Sequence, residues 1–342
     1  MNFTALTSVA LVLVTGSFGS IGSARADALP EQVPAPSDNP TTPAKVELGK
    51  QLYFDGRLSK DGTVSCNSCH DVSKGGEDAL PTSLGIGKQK GGRNAPTVWN
   101  AAFHTVQFWD GRAATLEDQA KGPLTNPIEM GMPSHQAVID RVKQIPGYVT
   151  QFEKAFGPNA VTIDNLARAI ASYERTLITR DSPYDRFMKG DKKAMTDAAQ
   201  RGMKKVQEVG CMSCHMGPNF SGPALKFGQA LYQKFPMFPG SEYEKKYELT
   251  KDLGRYAVTK AEIDKNKWRV PTWRNVELTG PYFHNGSVGK LDEAVRVMAK
   301  MQLNKELPQG DVDDIVAFLK SLTGKRPFQK APKLPETSAK FF

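Results

Sequence analysis

The chain has 342 residues, enough for two domains of ordinary size, and 39% of them are hydrophobic, so it can bury substantial cores. This composition excludes a disordered chain and a membrane protein with several spans. The formal net charge is +9, but the lysines are scattered and no basic stripe with interleaved aromatic residues is present, which argues against nucleic-acid binding.

The N-terminus has the pattern of an export signal. Residues 5–21 are mostly apolar or small, and Ala24-Arg25-Ala26 has the small-x-small form of a cleavage site. We predict cleavage after Ala26, a periplasmic protein and no stable membrane span after processing. An uncleaved anchor is the alternative, because no Lys or Arg precedes the apolar stretch. Residues 27–43, rich in Pro, Ala, Ser and Thr, are predicted to form a flexible leader.

All four cysteines belong to two copies of one pentapeptide, C-x-x-C-H. This pattern is the covalent attachment site of a c-type haem, in which both thiols bond to the porphyrin edge and the adjacent His becomes an axial iron ligand. Two disulfides, a zinc site and a thioredoxin-like pair are the alternatives, but each distant pair has its own following His, which argues against them. The two copies are Cys66-Asn67-Ser68-Cys69-His70 and Cys211-Met212-Ser213-Cys214-His215.

The two halves of the chain repeat each other. A helix-like segment precedes each haem motif, over residues 46–54 and 198–206, and each half closes with an amphipathic helix, which begins at a Thr162 cap in the first half and near Asp311 in the second. The sequence therefore predicts an all-α fold with two c-type cytochrome domains, each holding one covalent haem, related by internal duplication. The matched segments are Pro96-Thr97-Val98-Trp99-Asn100 with Pro271-Thr272-Trp273-Arg274-Asn275, Phe108-Trp109-Asp110-Gly111 with Phe283-His284-Asn285-Gly286, and Leu116-Glu117-Asp118 with Leu291-Asp292-Glu293.

The halves differ where a second axial iron ligand is expected. Met298 lies 14 residues after His284, on one helix face with two other apolar residues, and a thioether raises the potential of a His-ligated haem and closes it to ligands. The same count of 14 from Trp109 reaches Pro123, which cannot ligate, and Glu129 stands nearby. We therefore predict one haem closed for electron transfer and one haem able to bind peroxide, with a carboxylate in reach as a base. Met298 as a plain core residue is the alternative.

The chain from about residue 46 to residue 332 resembles the bacterial di-haem cytochrome c peroxidase family, which includes the MauG-type enzymes. The segments that carry this resemblance, besides the two haem motifs, are Arg93-Asn94-Ala95-Pro96-Thr97, Gln107-Phe108-Trp109-Asp110-Gly111-Arg112-Ala113, Pro271-Thr272, Thr279-Gly280-Pro281-Tyr282-Phe283-His284 and Gln302-Leu303-Asn304.

The resemblance implies roles for individual residues. His70 corresponds to the proximal ligand of the low-potential, peroxide-binding haem, and His215 with Met298 to the axial pair of the high-potential, electron-accepting haem. Trp109 corresponds to the tryptophan between the two haems.

The resemblance also implies a polar pair and a calcium ion. Gln119 and Glu129 correspond to the pair over the peroxide site, with Glu129 as acid–base. Asn94, Thr279 and Pro281 correspond to the ligands of a calcium between the domains, the last two through backbone carbonyls.

One segment departs from the pattern of many relatives, in which a histidine caps the peroxidatic iron at rest. In the segment Thr82-Ser83-Leu84-Gly85-Ile86-Gly87 an isoleucine occupies that place, and it cannot bind iron. We therefore expect the first haem to be five-coordinate or water-bound when fully oxidised. His104 and Lys88 are the nearby candidates for a substitute ligand.

The predicted function is a di-haem cytochrome c peroxidase that reduces hydrogen peroxide with electrons from a small periplasmic cytochrome c or cupredoxin. The alternatives are a MauG-type enzyme that oxidises a protein substrate and a di-haem electron carrier. The resemblance further implies a homodimer. The predicted divisions are a signal peptide (1–26), the leader (27–43), the N-terminal peroxidatic domain (44–180), the C-terminal electron-transfer domain (181–325) and a tail (326–342).

Overall fold

The structure is a computed structural model that describes residues 27–342. The predicted export signal, residues 1–26, lies outside the described residues. Within the described range, no helix combines the length and the apolar composition that a membrane span requires.

The first half of the described chain contains six α-helices joined by long loops. The helices predicted to begin near residue 46 and after the Thr162 cap are confirmed as the first and the last of them. The six are α1 (Pro43–Phe54), α2 (Cys66–Cys69), α3 (Leu116–Thr125), α4 (His135–Lys143), α5 (Pro146–Phe156) and α6 (Ile163–Glu174).

The second half of the described chain adds six α-helices and one small antiparallel sheet, in which Tyr232 lies opposite Arg269. The fold is therefore helix-rich with few strands, as predicted. The helices are α7 (Pro183–Met188), α8 (Asp197–Val209), α9 (Glu242–Tyr247), α10 (Tyr256–Thr259), α11 (Leu291–Leu303) and α12 (Gln309–Lys320), and the strands are β1 (Tyr232–Lys234) and β2 (Lys267–Arg269).

Hydroxyl side chains start most of the longer helices. Each of these residues accepts a hydrogen bond from the backbone N–H three positions later, which satisfies a donor that the helix itself leaves unpaired. The capping residues are Thr42, Thr115, Ser134, Thr162 and Thr196.

Two close helix pairs organise the cores, α1 on α6 in the first half and α8 on α12 in the second. A Cβ atom on Gly49 would lie 1.9 Å from the carbonyl oxygen of Ala169, and a Cβ atom on Gly202 would lie 1.8 Å from that of Asp314. No real carbon atom tolerates such distances, so only glycine allows these helix backbones to approach so closely.

The two halves meet at a buried threonine. Asn100 and Asn275, which are matched in sequence, both have left-handed backbones (φ 64° and 60°) and are fully buried. Their side-chain amides donate to the same Thr179 Oγ1, at 2.8 and 3.1 Å. The Thr179 N–H donates to Asn100 Oδ1 at 2.9 Å. This polar contact joins the halves beside the segment that links them.

The segment 27–43, which the sequence predicts to be a flexible leader, lies against the folded chain in this structure. Leu29 is buried, and its N–H donates to the Asp185 carboxylate at 3.2 Å. Arg180 donates to the Pro30 carbonyl at 3.0 Å.

Asn39 anchors the other end of that segment. It is buried, and its amide donates to the Glu117 carboxylate at 2.6 Å and to the Arg168 carbonyl at 3.1 Å. The Lys45 ammonium donates to Asn39 Oδ1 at 2.9 Å. These polar contacts come from the surface on which the segment lies, and Leu29 and Val33 add apolar contacts with a cluster that includes Ala101 and Leu116.

The predicted tail, residues 326–342, returns to the first half. Arg57 donates to the Pro335 carbonyl at 3.0 Å, and the Thr337 hydroxyl donates to the Gln144 carbonyl at 2.8 Å. The chain therefore closes over its own N-terminal half.

Candidate active site

Two cavities lie on either side of a shared wall. The first cavity, of about 480 Å³, is lined by the first C-x-x-C-H motif, and the second cavity, of about 230 Å³, by the other motif. Several residues line both cavities and form the shared wall: Asn94, Ala95, Pro96, Thr97, His104, Trp109 and Arg269.

In the first cavity, α2 presents the motif, and His70 caps the C-terminal end of this short helix. The His70 Nδ1 lies 2.9 Å from the Pro96 carbonyl and must donate to it, because a carbonyl oxygen only accepts. This contact fixes the tautomer and leaves Nε2 as the basic nitrogen. Burial lowers the pKa of His70, so the ring is neutral, which is the form that binds a metal.

The second cavity repeats this arrangement. The His215 Nδ1 donates to the Phe220 carbonyl at 3.0 Å, and the indole of Trp273 stacks on the imidazole with 4.2 Å between ring centres. Burial lowers the pKa of His215 to about 4. Both imidazoles are therefore oriented by a backbone carbonyl and are neutral.

The cysteines and histidines fit covalently attached haems. All four cysteines line the cavities and none of them is joined in a disulfide, so the disulfide alternative finds no support. Among residues 27–342, no three His, Cys, Asp or Glu side chains are grouped to share a metal ion, which argues against the zinc alternative. Two thiols and one oriented imidazole in each cavity match what a c-type haem requires.

Met298 and Pro123 occupy matched helix positions in different cavities. Met298 is seven residues after Leu291, the first residue of α11, and lines the second cavity. Pro123 is seven residues after Leu116, the first residue of α3, and lines the first cavity. A thioether can bind iron, whereas the proline side chain has no donor atom. Only the second cavity has a candidate iron ligand at this position.

Glu129 lines the first cavity together with Gln119. The Asn126 amide donates to Glu129 Oε1 at 2.8 Å. Burial raises the pKa of Glu129, while the Arg112 charge and the hydrogen bond from Asn126 oppose this rise. A carboxyl group with a raised pKa is suited to accept and release a proton near neutral pH.

Trp109 stands in the shared wall. Its indole N–H donates to the Asn94 carbonyl at 2.9 Å, and the Arg269 N–H donates to the Trp109 carbonyl at 3.0 Å. Its ring makes an edge contact with Trp268 at 6.5 Å between centres, and Trp268 stacks on His284 at 4.1 Å. An aromatic group thus spans the region between the cavities.

Ile86 faces the apolar core of the first half and does not line the first cavity. Its N–H donates to the Glu129 carbonyl at 2.9 Å, and its Cδ1 packs against Gly131. The position at which the resemblance implies a histidine therefore offers no iron ligand in this chain.

The two candidate substitute ligands lie in different places. Lys88 is exposed and does not line the first cavity. His104 is buried in the shared wall, where both ring nitrogens lie 3.4 Å from an Arg269 nitrogen. Burial and the Arg269 charge hold the pKa of His104 well below its usual value.

The three residues that the resemblance assigns to calcium all line the second cavity. The Asn94 amide nitrogen donates to the Leu80 carbonyl at 2.9 Å, which leaves Asn94 Oδ1 for another partner. No backbone N–H of residues 27–342 donates to the Thr279 or Pro281 carbonyl. Three oxygens thus remain available, and oxygen ligands are the kind that calcium prefers.

Two neighbours of Glu129, Arg112 and Asn126, were missed as functional candidates in the sequence. The Asn126-Pro127 pair is a turn signal and could have indicated that the Asn126 side chain bonds within the loop. The burial of Arg269 had no sequence signal, because a lone arginine is normally exposed.

Comparison with known proteins agrees with this geometry. The family model described as di-haem cytochrome c peroxidase matches residues 43–193. Cytochrome c551 peroxidase of Pseudomonas aeruginosa is 46% identical over 91% of this chain and 87% of its own length, and cytochrome c551 peroxidase of Nitrosomonas europaea is 44% identical over 89% and 87%.

A solved MauG-like protein associated with microbial copper homeostasis superposes with a TM-score of 0.75 at 27% identity, over 87% of this chain and 95% of that protein. The chain therefore belongs to the di-haem cytochrome c peroxidase family, and the predicted enzyme class, a cytochrome c peroxidase, is confirmed by this relationship.

Proposed function

We propose that this chain reduces hydrogen peroxide to water at the first cavity, with electrons that enter at the second cavity from a small cytochrome c or cupredoxin. One observation carries the proposal: the first cavity combines the Glu129 carboxyl group with Pro123, at the position where the second cavity has Met298.

The cavities are proposed to hold two covalent haem c groups, one attached to each C-x-x-C-H motif. When bound, these groups supply the iron that passes electrons to peroxide and the iron that stores electrons from the donor. The residues proposed to hold them are Cys66, Cys69 and His70 in the first cavity, and Cys211, Cys214, His215 and Met298 in the second.

We propose that the halves, with the divisions 44–180 and 181–325, arose by duplication. Matched residues share unusual backbone angles, since Phe108 and Phe283 have φ values of 65° and 71°. Matched isolated bridges also occur in both halves, Gln107 with Ala113 and Tyr282 with Val288. Non-glycine residues rarely adopt positive φ, so this coincidence supports a common origin.

The proposed chemistry of the first cavity centres on Glu129. Its carboxylate takes a proton from one oxygen of peroxide and returns it to the other oxygen, which leaves as water when the O–O bond breaks. Two electrons from the donor and two protons from solvent then convert the remaining oxygen into a second water. The Gln119 amide, which lines the same cavity, can donate a hydrogen bond to the substrate. Trp109 is proposed to provide the path for electrons across the shared wall.

We propose that a calcium ion binds Asn94 Oδ1 and the carbonyls of Thr279 and Pro281. The free oxygens of these residues, on both sides of the junction between the halves, support this site. Waters would complete its coordination. Export to the periplasm is proposed on the N-terminal signal pattern, and a homodimeric state on the family resemblance.

A MauG-type activity on a protein substrate is the second candidate, favoured by the absence of an iron ligand at Ile86. Met298 argues against it, because the resemblance implies a tyrosine at that place in MauG-type enzymes. Peroxide turnover that required a protein substrate rather than a reduced small cytochrome would favour this candidate. If the protein did not react with peroxide at all, the remaining function would be that of a di-haem electron carrier.

The test replaces the proposed acid–base with its neutral isostere. Glu129→Gln should lower the turnover of peroxide, measured by stopped-flow oxidation of a reduced small cytochrome, by about 10²-fold or more, on the usual size of acid–base effects. Both haem spectra should stay unchanged. Glu153→Gln, at an exposed position on α5, is the matched control and should retain full turnover. Full turnover in Glu129→Gln would remove Glu129 from the mechanism.

A further inference from the structure

We infer that Asn126 is a positioning residue, which orients the Glu129 carboxylate in the first cavity and favours its charged form. This inference rests on the proposed role of Glu129 as the acid–base. It concerns a residue that the resemblance does not assign to the site.

The loop after α3 places the two side chains together. Asn126 is the C-cap residue of α3, and its carbonyl accepts the N–H groups of Glu129 at 3.1 Å and of Gly131 at 2.9 Å. These two bonds fold the loop back on the helix end. Glu129 is thereby held three residues from Asn126 on the same turn.

The orientation of the Asn126 amide follows from its second partner. The Ile128 N–H donates to Asn126 Oδ1 at 3.0 Å, and a backbone N–H can meet only an acceptor. The nitrogen of the amide therefore faces Glu129 and donates to Oε1 at 2.8 Å. The direction of this bond, from amide to carboxylate, is fixed by the loop and not by a choice between two similar atoms.

The bond has two consequences for Glu129. It fixes one carboxylate oxygen and leaves Oε2 as the atom that can exchange a proton with a substrate. It also stabilises the charge, because a hydrogen bond donated to a carboxylate favours the ionised form.

Few other groups act on this charge. Arg112 is the cation that favours the charged form, while burial opposes it. His70 and Glu174 line the same cavity.

Asn126→Asp separates the positioning role from a structural one. The variant keeps an acceptor for the Ile128 N–H, so the loop retains its bonds, but it replaces the donor to Glu129 with a second carboxylate. Two close carboxylates titrate as a pair with one pKa strongly raised. Asn126→Ser keeps an acceptor in the loop and adds no charge, and its side chain is one atom shorter, which takes its hydroxyl donor out of reach of the Glu129 carboxylate.

The experiment measures peroxide turnover of the holoprotein against pH. Glu129 must be charged to accept a proton, so turnover falls as the pH drops through its pKa. Asn126→Ser should move this acid limb up by about one pH unit, the size expected for the loss of one hydrogen bond to a charged group. Asn126→Asp should move it further. The KM for the electron donor should not change.

An infrared titration of the same holoproteins gives a readout independent of turnover. The carbonyl band of the protonated Glu129, identified by its loss in Glu129→Gln, should persist to higher pH in both Asn126 variants. Asn165 lies on α6, away from the cavity, and its amide donates to the Ala160 carbonyl. Asn165→Asp makes the same chemical change there and should alter neither the acid limb of turnover nor the carbonyl band of Glu129.

An unmoved acid limb and an unmoved band in folded Asn126→Asp or Asn126→Ser would overturn the inference. If only one variant folds, its limb and band decide. Full peroxide turnover in Glu129→Gln would instead refute the proposed role of Glu129 itself. The failure of the proposed function and the failure of this inference are therefore distinct.

Discussion

Burial raises the pKa of Glu129, so the folded protein holds the proton of this carboxyl group more tightly than the unfolded chain does. The charged form therefore costs stability in the folded state, although the proposed chemistry needs it. This conflict between stability and activity is common at sites where a charge is kept partly out of water.

The conflict predicts how stability changes with pH at this residue. Above its folded-state pKa, Glu129 is a partly desolvated carboxylate. A glutamine side chain at the same position is neutral. Glu129→Gln should therefore raise the free energy of unfolding at neutral pH. Below the ordinary pKa of a glutamic acid both side chains are neutral, and the difference should shrink. Denaturant unfolding of both holoproteins at several pH values measures it. A variant less stable than wild type at neutral pH would contradict this interpretation.

At the same scale, sequence spacing singled out Met298, Pro123 and Glu129; Met298 lines the second cavity, and Pro123 and Glu129 line the first. Asn126 and Arg112 were not predicted as functional residues, because what they contribute is an interaction with Glu129 and not a sequence motif. Spacing shows which residues share a helix face, but not which side chain in a loop turns toward which neighbour.

At the scale of elements, the close approach of helix pairs sets the framework on which both cavities are built. α1 and α8 each precede a haem motif, and each packs through a glycine on the helix that closes its half. The helices themselves were predictable from apolar periodicity and caps. The need for glycine at positions 49 and 202 could not be predicted, because it depends on a backbone carbonyl more than a hundred residues away in the sequence.

Alanine at these glycines should separate the helix pairs. Gly49→Ala and Gly202→Ala should each lower the free energy of unfolding by about 1–3 kcal/mol, the usual cost of forcing an extra carbon into a packed interface. Gly310→Ala, in the first turn of α12, is the matched control, because a Cβ there has no atom within 4 Å. It should be neutral or stabilise by about 0.4–1 kcal/mol. Equal stability of Gly202→Ala and Gly310→Ala would contradict the packing described above.

At the scale of the whole molecule, both ends of the described chain cross between the halves. The buried Arg274 of the second half pairs with Asp185 at 2.7 Å, and Asp185 also accepts the N–H of Leu29. Burial alone would raise the pKa of Asp185, but Arg274 and the hydrogen bonds hold it below its usual value. Sequence patterns gave no sign of these crossings, because the contacts are single hydrogen bonds between distant segments.

The overall arrangement is two similar cavities with different side chains at matched positions. The first cavity is about twice as large as the second and lacks a ligand at Pro123 and at Ile86, whereas the second contains Met298. The proposed peroxide reduction uses this difference, since the substrate would need a vacant position at one iron while the other iron would serve electron transfer.

The electron paramagnetic resonance spectrum of the fully oxidised holoprotein at neutral pH tests this difference most directly. We expect one low-spin signal from the His215–Met298 haem and one high-spin signal from the His70 haem, because no protein side chain takes its second axial position. Two low-spin signals, with both irons held by two protein ligands at rest, would contradict the account.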